Sequence, residues 1–489
     1  MTAPSSPRAR VMALDDPVGT IADEWSVRER KETRDCFKTP EGRYNLGKTW
    51  RTKPASRRST EPASARTMEA EYDARCKRRC VYAESGENAY VLVNSGDCVR
   101  VLDYDAATAC KAVAKIGFHS GCVTAIAWRE KGESDRYDLL VGLSNGEVWA
   151  IDLGRNVADK GRWVTAATRW NVEGEGVNKS RCNAVIWRPR SDEDILEPFD
   201  CVSLHADGSM YTYNSSRDGN KASFAPVVDM NILSVVASDA QGSNPMTRWH
   251  FGRSSLNAAS FSPDSCLLTV VNGAGMCRVL DVSRDRPNIV AGFKSYYAGF
   301  NAVAWSPCGR YVLAAGESDM IEIWGMYERE VLAWGVQGHR SWVTDIAVDE
   351  LATADDNSIL RFATVGEDCR VALWDWRVPV DDVFTEDDDA LEDRVDRLSI
   401  GSSSRSHSRG PSFVGPDANV VQAARRNEVE RLVPIMTHKL HTSPVTSVLF
   451  TTEAALTATV DSVKLWLRPA QRSRYARTIT DDSVSDYCV

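Results

Sequence analysis

The residues able to do chemistry are few. Cys76 and Cys80 stand four apart in RCKRRC, close to half of a zinc site. A tetrahedral site needs a second ligand pair, and no such pair accompanies them. The chain has 13 cysteines, an odd and scattered set, and only 7 histidines. That pattern fits free, mostly packed thiols in a reducing compartment. No phosphate-cradling G-x-x-x-x-G-K-[ST] loop occurs, and no H-E-x-x-H. The G-x-S fragments lack the strand–turn–helix context of a nucleophile elbow. The expectation is a protein that is not an enzyme, with no metal and no cofactor.

Two histidines stand out by their partners instead. Gly338 and His339 precede one apolar segment, and Trp374 and Asp375 close a later one, with Asp368 in the turn between. His339, Thr364, Asp368 and Trp374 can satisfy one another's hydrogen bonds as a buried polar network that pins a turn. His441, Asp461 and Trp466 repeat the spacing near the end of the chain. Such histidines are structural.

The elements that would hold these groups are strands. Segments of period two recur: VTAIAW (123–128), CNAVIW (182–187), LNAASF (256–261), FNAVAW (300–305), VTDIAV (343–348) and VTSVLF (445–450). From Phe261 to Trp305 to Val348 they keep the roughly 40–45-residue period of WD repeats. Wider spacings elsewhere are one repeat plus an insertion. Each unit continues through a turn, a second strand, a polar hairpin and a third strand such as EVWAID (147–152), MIEIW (320–324) or RVALWDW (370–376). A further unit at 90–104 brings the number to seven. One four-stranded blade cannot cover both of its faces, whereas a closed ring of blades covers all of them. The fold expected is all-β: a seven-bladed WD-repeat β-propeller with a disordered N-terminal tail and insertions.

The organisation read from the sequence is a disordered tail over 1–40, an N-terminal segment over 41–84, the propeller over 85–468 and a polar tail over 469–489. The ring-closing outer strand of blade seven is sought within 43–75. Residues 214–245 separate the third and fourth strands of blade three. Residues 380–430 join an acidic run to a Ser/Arg-rich run, a composition too poor in apolar surface to order itself. They split blade six from its outer strand, placed in VPIMTHKL (433–440). Serines flanked by arginine there could accept phosphate, against the plainer reading of a solvated spacer.

Net charge is −9, which disfavours bulk attraction to nucleic acid or an anionic membrane. No segment approaches a transmembrane helix, and the N-terminus has no apolar signal core. Function therefore falls to a binding surface. Loops that lead from an outer strand into the next inner strand share one face of the ring. One, KSYYAGF (294–300), carries Tyr296, Tyr297 and Phe300, and another, GHRSWV (338–343), carries Trp342. Exposed Tyr and Trp are typical interface anchors, and a Trp pointing off the face invites a cover. Packing against a neighbouring loop is the alternative. Trp374 to Arg377 also spell WDxR, which in some propellers docks an adaptor of a cullin-based ubiquitin ligase.

The run SYYAGFNAVAWSPCGRYVLAAGESDMIEIWGMYEREVLAWGVQGHRSWVTDIAVD resembles the WD-repeat cofactors of ubiquitin-specific proteases. That family includes the fungal catabolite-repression protein CreC and the dystrophia myotonica WD-repeat protein. LLVGLSNGEVWAID, HADGSMYTYN and RFATVGEDCRVALWDW agree with it, and EGRYNL (41–46) resembles its N-terminal segment. The resemblance implies a non-catalytic protein, cytoplasmic or nuclear, that binds and activates a ubiquitin-specific cysteine protease. A second WD-repeat protein is a further candidate partner. The resemblance also implies that the face with Tyr297 and Trp342 makes the contact, Tyr297 standing where relatives often carry Phe. Competing readings are a substrate receptor for a cullin ligase, through Arg377, and a general scaffold.

Overall fold

The computed structural model describes residues 34–52 and 79–469, apart from 380–419 and short stretches at 86–87, 107–111, 133–134, 160–166, 172–177, 191–198, 218, 220, 228–232, 241, 284–286, 356–357 and 426. Cys76, most of the tail over 1–40, the bulk of the 380–430 insertion and the C-terminal residues from 470 lie outside the described residues.

The alternating segments form seven sheets of four or five strands each, antiparallel except for the outermost strand of two of them. Each sheet is one blade of a WD-repeat β-propeller. Its inner strand is the first of the unit: Val123–Trp128 in blade two, Phe300–Trp305 in blade five, Val343–Val348 in blade six. Apolar side chains alternate to both faces of each blade, so the cores lie between neighbours. One core joins Cys277 and Phe293 of blade four to Phe300, Trp305, Trp324 and Trp334 of blade five. Among the described residues no helix is long and apolar enough to cross a membrane.

Six inner strands share a β-bulge that skips their second residue, as between Val123 and Ala125 or Phe300 and Ala302. A bulge re-aims a side chain. In five of these blades the freed side chain donates to the carbonyl of the first inner-strand residue of the next blade. Thr124 bonds Cys182 O, Asn183 bonds Leu256 O at 2.8 Å, Asn257 bonds Phe300 O at 2.7 Å, Asn301 bonds Val343 O at 3.2 Å, and Thr344 bonds Val445 O. In blade one, Asn94 on the second strand does the same to Val123 O at 2.9 Å. A girdle of side-chain donors thus runs around the inside of the ring, always toward the next blade in sequence. At the join of blades seven and one the sense reverses: Cys80 N donates to Ser447 Oγ at 3.4 Å. Arg79 reinforces that join with an ion pair to Asp345 of blade six at 3.3 Å.

The ring closes through Gly42–Arg51, which pairs antiparallel with Ser462–Leu467 as the outer strand of blade seven. The expected tail is shorter than 1–40, because Cys36–Thr39 forms a further strand on Gly42–Arg51. Phe37 orders it by stacking on Tyr44 at 4.7 Å and packing against Trp466 at 5.5 Å. Blade three's insertion is likewise partly built: Ser234–Ala237 adds a fifth strand to Thr247–His250.

The largest departure concerns the end of the 380–430 insertion. Val420–Gln422 pairs parallel with Asn288–Lys294, the outer strand of blade four. Glu430–Leu432 then pairs parallel with Glu330–Gly335, the outer strand of blade five. The chain reaches blade six's own outer strand, Met436–Lys439, only after this detour. The open backbone groups of two edge strands supply the pairing, and burial of Ala423 and Leu432 adds to it.

Candidate functional site

Polar side chains buried on the third strands are satisfied by three kinds of network. In blade six, Trp374 Nε1 donates to Thr364 Oγ1 at 2.8 Å, Thr364 lies 2.8 Å from His339 Nε2, and His339 Nδ1 lies 3.2 Å from Asp368 Oδ1. An indole can only donate and a carboxylate can only accept, so Thr364 accepts from Trp374 and Asp368 accepts from His339 Nδ1. Burial works against the Asp368 carboxylate, but the interaction with His339 and the backbone donations from Arg340 and Arg370 together outweigh it and hold the carboxyl below its usual range. Gly366 makes the room, because a Cβ there would meet His339 Nδ1 at 2.9 Å. In blade seven, Trp466 Nε1 reaches Thr457 at 2.9 Å and Thr457 reaches His441 Nε2 at 2.7 Å. Asp461 accepts from Ser443. Burial, with the nearby Lys464 charge, pushes His441 down to about 3 and keeps the ring neutral.

Blade three reaches the same end from another position. Tyr213 hydroxyl and Ser203 are 2.9 Å apart, Ser203 lies 2.9 Å from His205 Nε2, and His205 Nδ1 lies 2.9 Å from Ser180 O. Register places His205 where blade six has Gly366. The ring fills the space from the strand instead of from the loop.

Blade five uses a carboxyl. Ala314 takes the place of Thr364, so Trp324 Nε1 turns to Glu322 Oε2 at 3.1 Å, and Ser295 hydroxyl donates to Glu322 Oε1 at 2.6 Å. Burial pushes the Glu322 carboxyl up to about 7 against those two donations. Blade two repeats the Glu-x-Trp arrangement: Trp149 and Ser120 both donate to Glu147 Oε2, at 3.0 Å and 2.6 Å. Blade four buries Leu280 and Val270 in the corresponding places, and two apolar side chains ask for no partner.

These networks hold the roots of the aromatic loops. Ser295, bonded to Glu322, immediately precedes Tyr296 and Tyr297. The backbone of Arg340 donates to Asp368 Oδ2 at 2.8 Å, and Glu367 N donates to Trp342 O at 3.0 Å. Above the roots the side chains reach solvent: Tyr296 is 43% exposed, Tyr297 50% and Trp342 48%, whereas Phe300 is 2% exposed. The two tyrosine rings meet edge-on at 4.8 Å, and Tyr297 also meets the buried Trp334 edge-on at 6.0 Å. All three exposed rings lie on the face to which outer strands deliver the chain, on consecutive loops either side of blade five.

Phe300 does not belong to that surface. It opens the inner strand of blade five, and its ring enters the core between blades four and five. Strand alternation, not loop composition, decides where it points. Arg377 is exposed at the far end of blade six's third strand, on the opposite face from the aromatics. The adjacent Asp375 is occupied by Arg361 Nε at 2.6 Å.

Residues 287–325 and 331–375 match the family model described as WD domain, G-beta repeat. This chain is a WD-repeat β-propeller. It is related to the UBP9-binding protein bun62 of Schizosaccharomyces pombe (strain 972 / ATCC 24843), 26% identical over 413 residues, covering 78% of this chain and 70% of that protein. The residues matched to the repeat model span blades five and six, where the exposed aromatics sit. Glu147 and Glu322, each two residues before a tryptophan, and His205 in HADG hold these networks without the spacing that marks the His339 set.

Proposed function

We propose that this WD-repeat propeller does no chemistry of its own and instead binds a ubiquitin-specific protease of the UBP9 type through Tyr296, Tyr297 and Trp342, raising its activity. The observation carrying the reading is three large aromatic side chains left about half exposed on one face, above roots pinned by buried polar networks. Rigid aromatic anchors lose little entropy on docking, which suits them to a stable partner. The related protein is named for binding UBP9, and that supports the same class of partner here.

Activation follows if the propeller binds the protease's active arrangement better than its inactive one. It then shifts the population by the difference in affinity, without touching ubiquitin. The catalytic groups belong to the protease.

The test is purification of the chain from its own cells, identification of the protease that accompanies it, and ubiquitin cleavage by that protease with and without the propeller. Trp342→Ala or Tyr297→Ala should each weaken binding by about 2 kcal/mol, roughly 30-fold. Full activation by the folded double variant would reject this face.

A further inference from the structure

We infer that the two short parallel strands at the end of the long insertion, Val420–Gln422 and Glu430–Leu432, form a strap that positions both aromatic loops; the inference rests on the docking face proposed above. The strap ends where the loops begin. Gln422 Nε2 donates to Lys294 O at 3.2 Å and to Ser295 O at 3.1 Å, and Ala423 N donates to Lys294 O at 2.9 Å. Ser295 is thereby held at both ends, its carbonyl by the strap and its hydroxyl by Glu322. The next two residues are Tyr296 and Tyr297.

The second strand repeats the arrangement one blade on. Leu432 O accepts from Val336 N at 2.8 Å, and Val336 leads directly into the loop that carries Trp342. Thr437, just past the strap, donates to Gly338 O in that loop at 2.8 Å. One short stretch of chain therefore ties the roots of two loops belonging to different blades. Blade six has no need of the detour for its own pairing, since its third strand and Met436–Lys439 are antiparallel neighbours that a simple hairpin would join. The detour has a reason in what it holds.

The experiment removes the strap and leaves the blades. Residues 380–432 are replaced by a short Gly–Ser linker, so that blade six closes as a hairpin. Gln422→Ala removes only the side-chain donor, and Gln422→Lys restores one. Amide hydrogen exchange is followed in 294–300 and 336–343, with Val123–Trp128 as the reference strand. Both loops should exchange at least about tenfold faster without the strap while the reference is unchanged. Gln422→Ala should loosen 294–300 alone, and Gln422→Lys should restore it. Binding of the UBP9-type protease should fall about tenfold in the strapless protein. Unchanged exchange in both loops would overturn the inference. So would faster exchange with undiminished binding, provided Trp342→Ala still weakens it. If Trp342→Ala leaves binding intact, the docking face itself fails, whatever the exchange shows.

Discussion

Blades five and six bury the same tryptophan at the same register position and satisfy its N–H by opposite chemistry. Blade six links the indole through a hydroxyl and an imidazole to a carboxylate held below its usual range at the edge. Blade five presents a carboxyl directly to the indole in the interior, and burial raises it to about 7. A relay carries charge outward to where it is tolerated, whereas a direct contact leaves the carboxyl where ionisation is costly. The consequence is a difference in pH response within one ring.

The comparison breaks most visibly if the tryptophans are not equivalent. Trp374→Ala and Trp324→Ala should each cost about 4 kcal/mol in urea unfolding, because both side chains are fully buried. A large gap between them would show that the two networks are not interchangeable supports.

Glu322 supplies the next largest effect. Its folded value lies above the ordinary 4.5, so its contribution is complete below about 4.5 and lost as pH rises through about 7. The loss approaches about 3 kcal/mol, taking about 1.4 kcal/mol per pKa unit. Urea midpoints measured between pH 5 and 8 should fall, and Glu322→Gln should flatten that limb. His441 runs the other way. Its folded value is depressed to about 3, so its contribution is complete above about 6.5 and declines as pH falls below that. Replacing His441 with Gln should flatten only the acid limb.

Thr364→Val sharpens the contrast, because valine keeps the shape and removes the middle of the relay. About 2 kcal/mol should be lost, the cost of leaving buried donors and acceptors unpaired. The equivalent position in blade five is already Ala314 and has no such role. Trp342→Ala is the smallest, within about 0.5 kcal/mol in stability, since the side chain stands outside both networks.

How much of this could be read beforehand depended on the range of the signal. His339, Thr364, Asp368 and Trp374 were legible because a histidine in a loop, an acid in a turn and a tryptophan closing a strand have fixed spacing. Glu322 was not, because Glu-x-Trp is a two-residue pattern any exposed strand can show. His205 occupies a strand position where the repeat expects glycine. Tyr296, Tyr297 and Trp342 are legible as loop aromatics, whereas Phe300 ends KSYYAGF and also opens the strand FNAVAW, and the strand decides where its ring points. The strap is three residues at a time, too short for any periodicity, and its parallel partners lie 128 and 97 residues upstream.

The girdle of side-chain donors inside the ring has a direction, and a hoop with a direction has a clasp. Removing one donor, Asn257 for instance, strands the carbonyl of the following blade and leaves the preceding one satisfied. The loss therefore falls on one neighbouring blade and not on the other, at every junction but the one where the sense reverses. That junction holds the 3.4 Å contact between Cys80 and Ser447 and the two ends of the propeller. Six junctions of the ring are alike in their polarity, and the seventh is the one that the two chain ends close.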